Sequence, residues 1–154
     1  MLVRRNLRVV FAESCTAGLV AATLARVPGI SAHLCGSAVT YCETTKVAWL
    51  DVRPRDLARH SAVSPQVARQ MALGVLAHTP EADWSAAVTG HLGPEAPAEQ
   101  DGVIYICIAR RLPSGRLRHH GTWRFDLTVR ARVARQRQAA AQVLAQLGAA
   151  IEAS

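Results

Sequence analysis

Apolar positions change period along this chain, and the changes mark out its elements. Leu7 to Ala12 is a short apolar run, β-branched in part, and reads as a buried first strand. Glu13-Ser-Cys-Thr-Ala-Gly18 supplies small and capping residues, after which Leu19 to Val27 has helical periodicity, closed by Pro28-Gly29. Gly36 to Tyr41 predicts a second strand, Glu43 to Leu50 a short helix and Pro54 to His60 another. Ser64-Pro65, a cap followed by a first-turn proline, opens a helix over Gln66 to His78 with Met71, Val75 and Leu76 on its buried side. Trp84 to Thr89 is a third strand, ending at Gly90 and a loop from His91 to Gly102 rich in proline, glycine and acids. Val103 to Arg110 and Arg116 to Phe125 flank turn chemistry at Pro113 to Gly115 and predict an antiparallel hairpin; Val129 to Ile151 predicts a long alanine-rich helix. With no repeat and no linker, this order predicts one domain over residues 1–154. Its expected fold class is α/β, a three-layer α/β/α sandwich with a mixed, mostly parallel sheet and a late antiparallel hairpin.

Composition narrows the function classes. Half of the 154 residues are hydrophobic and 19% are charged, which excludes a disordered or fibrous chain. No run reaches the ~20 consecutive apolar residues of a membrane-spanning helix, and the amino-terminal segment lacks a signal-peptide core, so a cytoplasmic protein without membrane contact is expected. Cys15, Cys35, Cys42 and Cys107 lack the paired spacing of a zinc knuckle or a disulfide framework, so reduced thiols and no metal are expected. A net charge of +7 suggests nucleic acid, yet the arginines are dispersed and aromatic residues make up only 5% of the chain, leaving no stacking platform. An anionic small substrate accounts for the charge as well, and no specific nucleic-acid partner is expected. Of the 18 Lys and Arg residues only one, Lys46, is lysine. Arginine does not release its proton in a protein, whereas a partly buried lysine can be shifted toward neutrality; Lys46 is therefore a candidate base, or else a lone surface lysine.

The candidate chemistry gathers at strand ends, where α/β sheets bind ligands. Ser14, between a strand and a helix, can serve as a helix cap or as an acyl-transfer nucleophile whose oxyanion would be received by the N–H groups of the helix start. Cys15 is a rival nucleophile or, as favoured here, a small apolar group turned into the core. Thr16 lines the site or caps the helix, and Glu13 orients a donor or makes a capping contact. No histidine has triad spacing; His91, after the third strand, is a possible site neighbour, and His119-His120 read as a solvated face with one packed partner. Lys46 with Tyr41, both following the second strand, completes a serine–lysine arrangement with a phenol to relay or hold the proton, Tyr41 being otherwise an amphipathic edge residue.

Ala12-Glu-Ser-Cys-Thr16, Gly18-Leu-Val-Ala-Ala22, Val27-Pro-Gly29, Val39-Thr-Tyr41, Lys46, Ala62-Val-Ser64 and Ala87-Val-Thr-Gly90, in this collinear order, resemble the CinA C-terminal domain family across nearly the whole chain. Stand-alone members are nicotinamide-nucleotide amidases that act without metal or cofactor, in pyridine nucleotide metabolism and NAD salvage. The resemblance implies the same sandwich fold, usually a homodimer or larger homo-oligomer, with Ser14 as nucleophile, Lys46 as general base and Tyr41 as assisting hydroxyl. It assigns substrate contacts to Glu13, Cys15, Thr16, Gly18, Thr89 and Gly90, and to Arg130, before the final helix, contact with a nucleotide phosphate.

The chain departs from the family pattern at several points. Ala17 replaces the first of two glycines, and Cys42-Glu43 replace a serine-asparagine pair. The glycine-rich loop with its lysine-proline pair has become His91 to Asp101, keeping Gly93, Pro94 and Gly102. Together these place Glu43, Glu95, Glu99 and Asp101 where a phosphate is expected, a repulsion that would weaken a phosphorylated substrate. A helix that commonly precedes the first strand is expected to be missing. The implied function is deamidation of nicotinamide mononucleotide to nicotinic acid mononucleotide and ammonia through a Ser-Lys acyl-enzyme. The alternative is a catalytically weak nucleotide-binding or interaction protein on the same fold.

Overall fold

A computed structural model describes all residues, Met1–Ser154. Its strands are β1 (Val9–Glu13), β2 (Leu34–Val39), β3 (Trp84–Gly90), β4 (Val103–Arg111) and β5 (Leu117–Asp126). Its helices are α1 (Leu2–Arg5), α2 (Leu19–Leu24), α3 (Glu43–Leu50), α4 (Pro54–His60), α5 (Pro65–Ala77) and α6 (Arg132–Glu152). The five strands form one sheet in the order β2-β1-β3-β4-β5. β1 lies parallel to both β2 and β3, while β3–β4 and β4–β5 are antiparallel, so β4 alone runs against the other four.

Strand composition follows from position in this sheet. Every residue of β1 is buried, because helices cover both faces of the central strands and no solvated face remains for polar residues. β5, at the edge, alternates half-buried and exposed positions over most of its length. One core lies between the sheet and α1, α2 and α6, built around Phe11, Ile104, Ile106, Val143 and Ile151. The other lies between the sheet and α3–α5, around Val10, Leu50, Val67, Met71 and Leu76. The α/β/α sandwich with a mixed sheet and a late hairpin is thus the observed architecture.

Several elements differ locally from the sequence reading. A single turn of helix, α1, precedes β1 where none was expected: Leu2 is buried in the first core, and the Arg5 side chain donates to the Ile151 carbonyl at the end of α6. α2 ends at Leu24 rather than Val27, since the residue before Pro28 is biased away from helix and Val27 N–H turns back to Leu24 O. β2 begins and ends two residues before the expected limits; its pairing stops where Val39 meets Glu13, and Thr40 N–H then donates to Glu13 O at 2.8 Å. α6 starts at Arg132, beyond the expected Val129.

Two packing details place the chemistry. Ser64 caps α5, its hydroxyl accepting from Val67 N–H at 3.3 Å, with Pro65 in the first turn. Gly74, in the middle of that helix, lets the end of α3 approach: a Cβ there would lie 2.0 Å from Leu50 O. α3, which carries Lys46, is thereby seated against α5. On the hairpin, His120 is exposed and packs edge-on against Trp84 at 5.5 Å, while His119 bonds Thr122 Oγ1 at 2.8 Å.

Candidate active site

The carboxyl ends of the parallel strands β1 and β3 open into a cavity of about 220 Å³, the position where open α/β sheets hold ligands. Ser14 follows directly on β1 and is fixed to β3, its N–H donating to Val88 O at 3.1 Å. Lys46 comes from α3. It is 1% exposed, and its Nζ donates to Ser14 Oγ at 3.0 Å and to Thr40 O at 2.6 Å. Burial holds the Lys46 ammonium below the ordinary lysine pKa, outweighing the opposing pull of Cys15, Glu43 and Cys42. A serine hydroxyl within hydrogen-bond reach of an amine biased toward neutrality is the arrangement that lets serine lose its proton at moderate pH.

Cys15 packs into the core, and burial pushes its thiol up to about 12, leaving it protonated near neutrality and a poor nucleophile. It also lines the cavity. Its carbonyl accepts from Gln136 Nε2 on α6 at 3.3 Å. A trans peptide points its N–H opposite to its C=O, so this bond turns Thr16 N–H away from α6. The N–H groups of Cys15 and Thr16 donate to no backbone carbonyl.

The expected role of the helix start needs correction. Glu13, 1% exposed, occupies those N–H groups itself: its Oε2 accepts from Gly18 N at 2.9 Å and Val20 N at 3.0 Å, and its Oε1 from Ala21 N at 3.0 Å. Thr16 Oγ1 (2.7 Å) and Ser37 Oγ (2.9 Å) complete five donors to one carboxylate. Glu13, Thr16 and Gly18, expected as substrate contacts, therefore lie behind the cavity and hold the turn that presents Ser14. In that turn Ala17 sits at φ 51 and Gly18 at φ 94; the family's glycine pair matches two left-handed residues, one of which this chain builds from alanine.

Tyr41 lines the cavity but is 54% exposed, and its hydroxyl accepts from Arg132 Nη2 at 2.7 Å rather than meeting Lys46. Thr89 and Gly90 both line the cavity as expected. The Thr89 hydroxyl, however, donates to Ala62 O at 2.8 Å, and Gly90 is required by packing, since a Cβ would fall 2.5 Å from Ile104 Cγ2. Arg130 does not reach this cavity; it lines a neighbouring cleft of about 270 Å³. The arginine shared by both is Arg132, the first residue of α6, which also donates to Gly93 O. In the sequence it is one of four arginines from Arg130 to Arg137 with nothing to distinguish it; only the helix boundary does so.

The expected cluster of four carboxylates is not formed. Asp101 is claimed by Arg135, at 2.6 and 2.8 Å, and this pairing holds its carboxyl below the usual range. Glu43 and Glu99 are exposed and outside the lining; Glu95 alone lines the cavity, beside His91 and Gly93.

Residues 1–151 match the model of the CinA C-terminal domain. A CinA-like protein of Desulfotalea psychrophila is 39% identical over 122 residues, 79% of this chain and 28% of that protein. One from Chlorobaculum tepidum is 41% identical over 120 residues, 77% and 28% respectively. The chain thus spans under a third of the length of these relatives. Among solved structures, a competence-damaged protein (CinA) superfamily protein of Klebsiella pneumoniae superposes with TM-score 0.88 at 31% identity, covering 99% of this chain and 92% of that one. A competence/damage inducible protein of Agrobacterium tumefaciens gives TM-score 0.83 at 33% identity, covering 97% and 88%.

Proposed function

This chain belongs to the CinA C-terminal domain family, and we propose that it is an amidohydrolase acting on the carboxamide of a pyridine nucleotide, converting nicotinamide mononucleotide to nicotinic acid mononucleotide and ammonia. The observation that carries the reading is the 3.0 Å contact between Ser14 Oγ and the buried amine of Lys46.

In this mechanism the neutral Lys46 amine takes the Ser14 proton as Oγ bonds to the amide carbon, and the carbonyl electron pair moves onto oxygen. The N–H groups of Cys15 and Thr16, which donate to no backbone carbonyl, receive that oxyanion in place of the helix-start groups that Glu13 holds. The C–N bond then breaks, and Lys46 returns its proton to the departing nitrogen, which leaves as ammonia. A water molecule, deprotonated by Lys46, cleaves the acyl-serine ester; the carboxylate product departs and Ser14 regains its proton. Tyr41, tied to Arg132, shapes the mouth of the cavity in this reading.

The test is ammonia release from nicotinamide mononucleotide by the purified protein and by Ser14→Ala. Turnover that vanishes in the variant, with its circular dichroism unchanged, is expected. Full activity in Ser14→Ala would refute the serine mechanism, and nucleotide binding without turnover by the unaltered chain would point to a binding protein.

A further inference from the structure

Apart from Lys46, the cavity lining carries two charged side chains of opposite sign, Arg132 and Glu95. The guanidinium of Arg132 is engaged by Gly93 O and the Tyr41 hydroxyl. Glu95 forms no ion pair within the chain. Its backbone stands at φ 67, a conformation that side-chain-bearing residues rarely adopt. The loop that carries it is fastened to α6 on both sides, through Gly93 to Arg132 and through Asp101 to Arg135. Glu95 is thus an unneutralised carboxylate held at the rim of the cavity that contains Ser14. The neighbouring cleft adds Arg130, and its Asp101 is already paired with Arg135. An unpaired carboxylate at the cavity rim and the arginines of the neighbouring cleft suit a ligand with a cation near its scissile amide and an anion farther off.

We propose that Glu95 is the specificity-determining residue of this cavity, and that its carboxylate selects carboxamides on a positively charged ring, the N-substituted pyridinium amides, over neutral-ring amides of the same shape. The inference rests on the amidase reading for the placement of the amide at Ser14. Glu95 also repels a phosphate, but a comparison of two nucleotides that share the phosphate cancels that effect.

Nicotinamide mononucleotide and its dihydro form provide such a pair: the same carboxamide, ribose and phosphate, with a cationic ring in one and a neutral ring in the other. Equilibrium dialysis of both against Ser14→Ala, with and without Glu95→Gln, reads binding free of turnover. A solvent-exposed charge contact supports a preference of about three- to fivefold, larger at low ionic strength. Glu95→Gln is expected to remove that factor from the ratio of oxidised to reduced affinity, and Glu95→Lys to reverse the preference. Equal effects on both nucleotides, no effect on either, or no binding of either would overturn the proposal. Ammonia release by the Ser14-containing chain separates this from the reading beneath it. Glu95-dependent binding without turnover keeps the selection and sinks the amidase, whereas equal hydrolysis of both forms keeps the amidase and sinks the selection.

Discussion

Replacing Glu13 with glutamine preserves the shape of the side chain while turning one acceptor into a donor, and the five-donor arrangement has no room for that exchange. If the amide nitrogen takes the Oε1 position it faces Ala21 N–H, donor against donor, while Ser37 can rotate to accept. In the opposite orientation it faces the N–H groups of Gly18 and Val20, and only Thr16 can rotate. The first orientation is cheaper. It leaves one half-buried N–H unsatisfied, at about 1 kcal/mol, and removes the charge assistance from the remaining bonds, at roughly 1 kcal/mol each. Relief from burying a carboxylate offsets part of this, leaving a net loss of about 3 kcal/mol. Urea unfolding followed by circular dichroism should show that loss with m unchanged, or a fall in Tm of about 6–12 °C for a chain of this size. Because Glu13 holds the turn that presents Ser14, ammonia release should fall as well, below the unfolding transition. A loss of less than about 1 kcal/mol would refute the view that this carboxylate organises the site.

The depressed pKa of Lys46 has two consequences. As pH rises through that lowered value the amine gains its neutral form, so kcat/KM should climb with pH and level off below the range of an ordinary lysine; a flat profile would remove Lys46 from the role of base. Since the native state disfavours the charged amine, its contribution to stability is poorest at low pH and recovers as pH rises toward the unfolded-state value, a dependence that Lys46→Met should abolish. Lys46→Arg keeps the charge but not the base, and should lose on the order of 10²–10⁴ in rate. Ala17→Gly should stabilise the fold by about 0.5–1 kcal/mol in urea titration, because relief of a left-handed alanine outweighs the added freedom of the unfolded chain. Gly74→Ala should destabilise by about 1–3 kcal/mol despite alanine's higher helix propensity, since its Cβ would meet Leu50 O, and should slow turnover by shifting α3; a more stable, fully active variant would contradict that packing.

Much of this architecture is legible in the order of residues. The apolar run Val9 to Ala12 within β1, the bounds of α3 and α4, and the Ser64-Pro65 start of α5 are local signals, and the structure repeats them, with β1 starting two residues later and ending one later than expected. Ser14 and Lys46 stand out by position and by the scarcity of lysine, and the fold brings them together across 32 residues. Other features could not be read this way. Glu13 is as plausible a substrate contact as a buried cap until Ser37, on another strand, is seen to share it. Tyr41 is a credible proton relay until Arg132, 91 residues away, takes its hydroxyl. Asp101 counts as a repulsive charge until Arg135 neutralises it. The elements, the burial of the first strand and the candidate pair Ser14 and Lys46 are written in the residue order, because hydrophobic period, caps and turns act over a few residues. Which carboxylate caps a helix, which is paired and which lines the cavity depends on long-range packing, because those partners meet only after the β2-β1-β3-β4-β5 order has brought distant segments side by side.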